Sequence, residues 1–322
     1  MWSRQSAARI SDEGAGARQF SETKLPLPSN EPGGSQVSGC PIFHKDFPTH
    51  YANLMMQYMV AKKLKSLIPN LELSNFMMPY WNIDHRPIDD TGSYASCVLD
   101  HEQHVDMQRI AYLANNKLFD RFNWRGYGQR IEYFPPVDEA RVLFSRPDIV
   151  APVFDGDAVV CPIRGGEILD ARHPGYTILP IDFYVDVIDE MGWRPVFVGQ
   201  TEDNIYMRAL KDRFPQAEIV SHQGVMEDFA IIRAASNVIL SISTFAWLAA
   251  WLSHAKTIVL PVYGMFNPAL FSLHDLLPLG DDRYRFYQFP PQPAVPLHEL
   301  LEVHSAMKGQ WHRVGRDELR RL

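Results

Sequence analysis

The chain has 322 residues, 46% of them apolar and 21% charged, with Lys+Arg 31 against Asp+Glu 38 for a net charge of −7. That length excludes a peptide or disulfide-stapled miniprotein, and the apolar share excludes wholesale disorder. A net acidic chain without clustered Lys and Arg gains nothing from counterion release, so nucleic acid is not expected as a partner. Three scattered cysteines, Cys40, Cys97 and Cys161, suit a reducing compartment and point to the cytoplasm.

Residues 1–36 are rich in Ser, Gly, Arg and Glu and lack an apolar h-region, so they read as a flexible extension and not as a signal peptide. A strand is expected over Val37–Phe43, and a helix over Asn53–Leu67 with Leu54, Tyr58, Ala61 and Leu64 on one face. A second strand is expected over Leu71–Met78. His101-Glu102-Gln103-His104 has its histidines three apart, not the four of a zinc helix, and reads as a polar helix start. Pro147, Pro152 and Gly156 break both periodicities, placing a join between Ser145 and Asp157 and a first domain over 37–150.

From 151 to 290 the alternation is regular. Strands are expected at Ala158–Ile163, Pro195–Gly199, Ala217–Ser221, Asn237–Ile242 and Thr257–Val262. Between them fall helices at Pro180–Met191 with Gly192 as C-cap, at Glu202–Phe214 with Ile205, Ala209 and Leu210 on one side, at Val225–Ala235 and at Phe245–His254, capped by Ser243 or Thr244. The uncharged run Ala234–Ser253 is interrupted by Ser236, Asn237, Ser241, Ser243 and Thr244, and reads as a buried strand then a buried helix, not a membrane span. The fold class is therefore α/β: two Rossmann-like domains with parallel sheets, followed over 291–322 by a helix at Leu297–Met307 and a tail.

Two strand ends could hold an anion. Arg164-Gly165-Gly166-Glu167 follows the first strand of the second half, where a guanidinium can grip phosphate oxygens while glycines admit backbone amides; the alternative is a turn with a surface arginine. Ser243-Thr244-Phe245 opens a helix, whose free N–H groups and positive dipole end favour a phosphate; the alternative is simple N-capping. No Walker lysine, nucleophile elbow or metal-ligand spacing accompanies them, and Asp89-Asp90 and Asp281-Asp282 read as turn residues.

Several segments together carry a family resemblance. Asn53-Leu54-Met55-Met56-Gln57-Tyr58 is similar to the signature GNQMFQY, and Gly126-Tyr127-Gly128-Gln129 with Tyr133-Phe134 resembles GYxQSxxYF. Arg164 matches the first arginine of HxRRGD, Asp228 falls at an aspartate of the next helix, and Ser243-Thr244-Phe245-Ala246-Trp247 with Ala250-Trp251-Leu252 resembles STFSWWGAWL. In this order, over about Cys40 to Phe266, they resemble the fucosyltransferase superfamily of GT-B fold, most of all its α-1,2-fucosyltransferase (GT11) branch. The chain departs from it at Pro162, Gly165 and Glu167, which stand for the motif histidine, second arginine and aspartate, and at Pro48-Thr49-His50-Tyr51-Ala52, Ile242 and Leu248.

The resemblance implies an inverting, metal-independent transfer of a sugar, fucose from GDP-fucose, to a glycan hydroxyl, with an acceptor-side domain over 37–150 and a nucleotide-sugar domain over 151–290. No cofactor or metal is expected, the GDP-sugar being a substrate; the partners are a nucleotide sugar and a glycan acceptor. Arg164 would hold the diphosphate and stabilise the departing nucleotide, with Gly165, Gly166, Ser243, Thr244, Phe245 and Asp228 also on the donor, and Asn53, on the loop entering the first helix, would approach the donor sugar. Candidate bases are Glu167 and Asp170 beside Arg164, and Asp84 and His85 on the acceptor side, where Tyr127, which could stack on a sugar face, and Gln129 are also placed. Trp81, Tyr80 and Trp124 could also stack on sugar faces. The alternatives are a same-fold transferase with another nucleotide sugar and a glycan-binding pseudotransferase without turnover. No amphipathic anchor is evident for work beside a membrane.

Overall fold

A computed structural model describes residues 39–92, 94–100, 103–169, 175–292 and 295–321. The expected extension over 1–36, the start of the strand expected at Val37–Phe43, the pair His101-Glu102 and the candidate base Asp170 lie outside the described residues.

The first unit runs β1 (Ile42–Lys45), α1 (Tyr51–Leu67), β2 (Glu72–Ser74), β3 (Phe76–Met78), β4 (Ile83–His85), β5 (Ser96–Leu99), α2 (Met107–Asn115), β6 (Arg121–Trp124) and α3 (Val137–Leu143). Its sheet has the order β2-β1-β6-β5 and is parallel throughout, with Phe43 opposite Leu73 on one side and Phe122 on the other. The single strand expected over Leu71–Met78 is two. Asn75 adopts φ 66°, turning the chain out of the sheet, so β3 pairs antiparallel with β4 in a separate hairpin. The expected polar helix start at 101–104 is also displaced: α2 begins at Met107, where the Asp106 side chain accepts from Arg109 N at 2.9 Å.

The second unit runs β7 (Ala158–Ile163), α4 (Ile181–Met191), β8 (Arg194–Gly199), α5 (Ile205–Arg213), β9 (Glu218–Ser221), α6 (Val225–Ala234), β10 (Asn237–Ile239), α7 (Thr244–Trp251), β11 (Thr257–Val262), β12 (Tyr284–Gln288), α8 (Leu297–Ala306), β13 (His312–Val314) and α9 (Arg316–Leu319). Its sheet has the order β13-β12-β11-β10-β7-β8-β9, parallel except for β13. The two Rossmann-like α/β units expected from the sequence are thus present. Every residue of β7 is buried, as a strand covered by helices on both faces requires. Gly192 caps α4 as expected. In α5, Asn204 caps the helix and shifts its start, so Tyr206, Met207 and Leu210 form the buried face and Ile205, expected inside, is 44% exposed. β10 is shorter than expected, ending at Ile239, and the tail adds β13 to the sheet edge.

α7 is apolar all round and buried accordingly, with Trp247 stacked on Trp251 at 5.7 Å and donating its indole N–H to Leu276 O at 2.7 Å. It packs against α1. Its carbonyl end is held by arginines: Arg141, on α3, donates to Leu252 O at 3.2 Å and Ser253 O at 2.6 Å, and Arg283 to Trp251 O at 3.1 Å and Ser253 O at 2.6 Å. Among the described residues no helix is long and apolar enough to cross a membrane.

Candidate active site

From β7 the chain passes outward to β8 and β9, then returns to lay β10 on the other side of β7. Such a reversal leaves a crevice beyond the carboxyl ends of the two strands, because their following segments diverge. Arg164 follows β7 and Ser243 precedes α7 at this point. The Arg164 Nη1 donates to Ser243 Oγ at 3.4 Å, and its guanidinium lies 5.4 Å from the centre of the Tyr176 ring. The two segments expected to hold an anion, 79 residues apart, therefore share one mouth.

That mouth opens into a cavity of about 300 Å³, lined there by Arg164, Ser241, Ser243, Thr244 and Phe245, and on the α1 side by His50, Tyr51, Ala52 and Asn53. Ser243 occupies the N-cap position of α7 but its side chain makes no capping bond, contrary to the expected hydroxyl cap, because it is turned to Arg164. Ser241 is 5% exposed and its Oγ meets no partner among the described residues. Its hydroxyl stands beside Ser243 in the lining of the cavity.

At the other end of the cavity, β8 ends on Gly199, whose φ is 106° and where a Cβ would stand 2.9 Å from Ile163 O and 3.7 Å from an Asp228 oxygen; only glycine allows that approach. Asp228, in the first turn of α6, is buried and accepts from His222 Nδ1 at 2.7 Å and from Gln223 N at 3.2 Å. The hydrogen bond to Asp228 raises the His222 pKa above its ordinary value against a smaller opposing effect of desolvation. His222, Gln200 and Tyr176 line the cavity and were not among the predicted site residues. The one sequence signal for His222 was its place at a strand end, six residues before Asp228.

The remaining predicted residues divide. Asn53 lines the cavity, but as the third residue of α1 and not on the loop before it, because α1 starts at Tyr51. Gly165 and Gly166 do not line it; Gly165 is buried, and a Cβ on Gly166 would meet Gln200 Oε1 at 3.0 Å. Glu167 lies in a short 3-10 turn, Gly166–Ile168, and its side chain is outside what is described. Asp84 and His85 stand apart from the cavity on the β3–β4 hairpin, carried there by the turn at Asn75: Asp84 pairs with Arg86 at 3.2 Å, and the His85 Nε2 meets Tyr58 OH at 3.1 Å. Burial lowers the His85 pKa. Tyr127 packs edge-on against Phe47 at 4.9 Å, and Gln129, 4% exposed, is bonded to Asn53. Trp81 and Trp124 belong to the core, whereas Tyr80 is 44% exposed. Among the described residues no three His, Cys, Asp or Glu side chains converge as a metal site.

No family profile matches the chain, and no curated protein matches it in sequence. Solved structures do resemble it. A glycosyl transferase family 9 protein of Veillonella parvula aligns with a TM-score of 0.44 at 11% identity, over 87% of this chain and 95% of that one. The heptosyltransferase WaaC of E. coli, with ADP, gives a TM-score of 0.40 at 11% identity over 83% and 99%. An arginine-to-lysine mutant of Arabidopsis thaliana FUT1 in complex with GDP gives 0.40 at 9% identity over 70% of each chain. Likeness of this degree assigns no residue a role.

Proposed function

We propose that the protein is a glycosyltransferase that moves a sugar from a nucleoside diphosphate to a hydroxyl of a glycan, with inversion and without a metal ion. The observation that carries the reading is the meeting of Arg164 and Ser243 at the N-terminus of α7, beside the hydroxyl of Ser241. During transfer, negative charge grows on the leaving diphosphate. A guanidinium fixed against Ser243 and Tyr176, the first-turn amides of α7 and two serine hydroxyls are aimed where that charge grows, which is what lowers a barrier of this kind. Arg164 thus does the work a divalent cation does in other transferases. Gly165 stands where the motif carries a second arginine, and the donor is GDP-fucose or another nucleotide sugar.

The test is release of nucleotide from a panel of GDP-, ADP-, UDP- and TDP-linked sugars in the presence of chelator. Release from one member identifies donor and activity together. Silence across the panel with glycan binding retained would convert the reading to a pseudotransferase, and dependence on added metal would remove the role given to Arg164.

A further inference from the structure

Behind Asn53 lies a buried chain of amides whose directions can be worked out from one fixed donor. The backbone N–H of Gln129 can only donate, and it donates to Gln103 Oε1 at 2.8 Å. That fixes the other end of the Gln103 amide as its NH2 group, which stands 3.3 Å from Gln129 Oε1 and 3.0 Å from His274 Nε2. The Gln129 amide is fixed in turn, its Nε2 donating to Asn53 Oδ1 at 2.9 Å. Gln103 and Gln129 are each 4% exposed, and since the Gln103 NH2 can only donate, His274 accepts from it at Nε2. Gln129 is itself held from both sides: its carbonyl accepts from Asp275 N at 3.0 Å, and it follows Gly128, where a Cβ would stand 2.7 Å from Val60 Cγ2. Among the described residues nothing takes the Asn53 Nδ2 protons, and Asn53 lines the cavity.

We propose that Gln129 is a positioning residue: itself oriented by Gln103, which His274 braces, it holds the Asn53 oxygen toward itself, so that Asn53 presents a hydrogen-bond donor to an oxygen of the sugar carried by the bound nucleotide. Chain segments around 53, 103, 129 and 274 combine to set the polarity of one group in the cavity. An amide free to turn would offer donor or acceptor alike and discriminate neither. The inference rests on the transferase reading for the identity of the ligand, and on hydrogen bonds alone for the direction of the amide.

Two variants and two readouts test it. Asn53→Asp keeps the acceptor for Gln129 and replaces the cavity-facing NH2 with a carboxylate oxygen. Gln129→Glu removes the donor that holds the Asn53 oxygen, so that Asn53 turns over. Each is expected to lower kcat/KM for the donor sugar released in the panel by about tenfold or more, the value of one lost hydrogen bond and its reversal, while affinity for the free nucleoside diphosphate stays within about twofold. Gln129→Met, which only releases Asn53, is expected to fall between wild type and Gln129→Glu. In asparagine- and glutamine-labelled wild type, side-chain amide protons of Gln103 and Gln129 should be protected from exchange and those of Asn53 not; in Gln129→Glu those of Asn53 become protected. Unchanged kcat/KM in both Asn53→Asp and Gln129→Glu, or protected Asn53 amide protons in wild type, overturns the proposal. A wild type that turns over no donor but keeps the exchange pattern overturns the transferase reading and leaves the amide direction supported.

Discussion

Replacing Arg164 with alanine separates a ligand-binding residue from a structural one. The side chain is half-buried, and its loss removes the contact with Ser243 and the stacking on Tyr176. Each of these two is worth about 1 kcal/mol, so the variant should lose at least about 2 kcal/mol of stability and remain folded. The same change strips the phosphate seat of its guanidinium. A charge-assisted contact in a partly water-excluded site is worth about 3 kcal/mol, a loss of about 100-fold in affinity for a nucleoside diphosphate. Arg164→Lys keeps the charge but not the planar fork, and should lose about tenfold. Calorimetric titration with GDP, ADP and UDP gives the affinities, and urea unfolding of the same preparations gives the stability. Wild-type affinity in Arg164→Ala, together with a large drop in the urea midpoint, would show that the guanidinium only braces the fold, and the phosphate argument would fail.

Two pH effects follow from buried or paired histidines. His304, on α8, is 4% exposed and burial depresses its pKa to about 4. Folding therefore disfavours the charged ring, and stability present at neutral pH should decline as pH falls from about 6.5 toward 4, by about 3 kcal/mol in all; His304→Leu should flatten that part of the urea-midpoint profile, and an unchanged profile would place the acid sensitivity elsewhere. His222 behaves oppositely. Its pKa is raised by the hydrogen bond to Asp228, so the pair is intact at low pH and lost as pH rises through the raised value. Proton NMR should show its titration midpoint above 6.5 in wild type and lower in Asp228→Asn, and equal midpoints would mean the contact is not held in solution.

The second unit was readable because its strands are buried on both faces. Six consecutive buried residues in Ala158–Ile163, and Gly192 closing a periodic helix, leave little choice of element. The one strand expected over Leu71–Met78 is two because an apolar run says nothing of a left-handed residue within it, and Asn75 supplies one. That turn also sets Asp84 and His85 on a hairpin away from the cavity that Arg164 and Ser243 line. Ile205 looked like a core position by spacing, but the Asn204 cap sets the helix phase. The pairing of Arg164 with Ser243 could be anticipated from strand ends alone. The bonds from Gln103 through Gln129 to Asn53 could not, since they join positions 26 and 76 residues apart with no periodic signal linking them.

The arginines at the far end of α7 bear on the mouth at its near end. A buried helix of eight residues, about 12 Å long, carries partial charge at both poles with little water to screen either. Arg141 and Arg283 already answer the carbonyl pole. What is left is the N–H pole at Ser243, so an anion arriving there would leave both poles of the helix answered, and the carbonyl pole is answered by residues that line no part of the cavity.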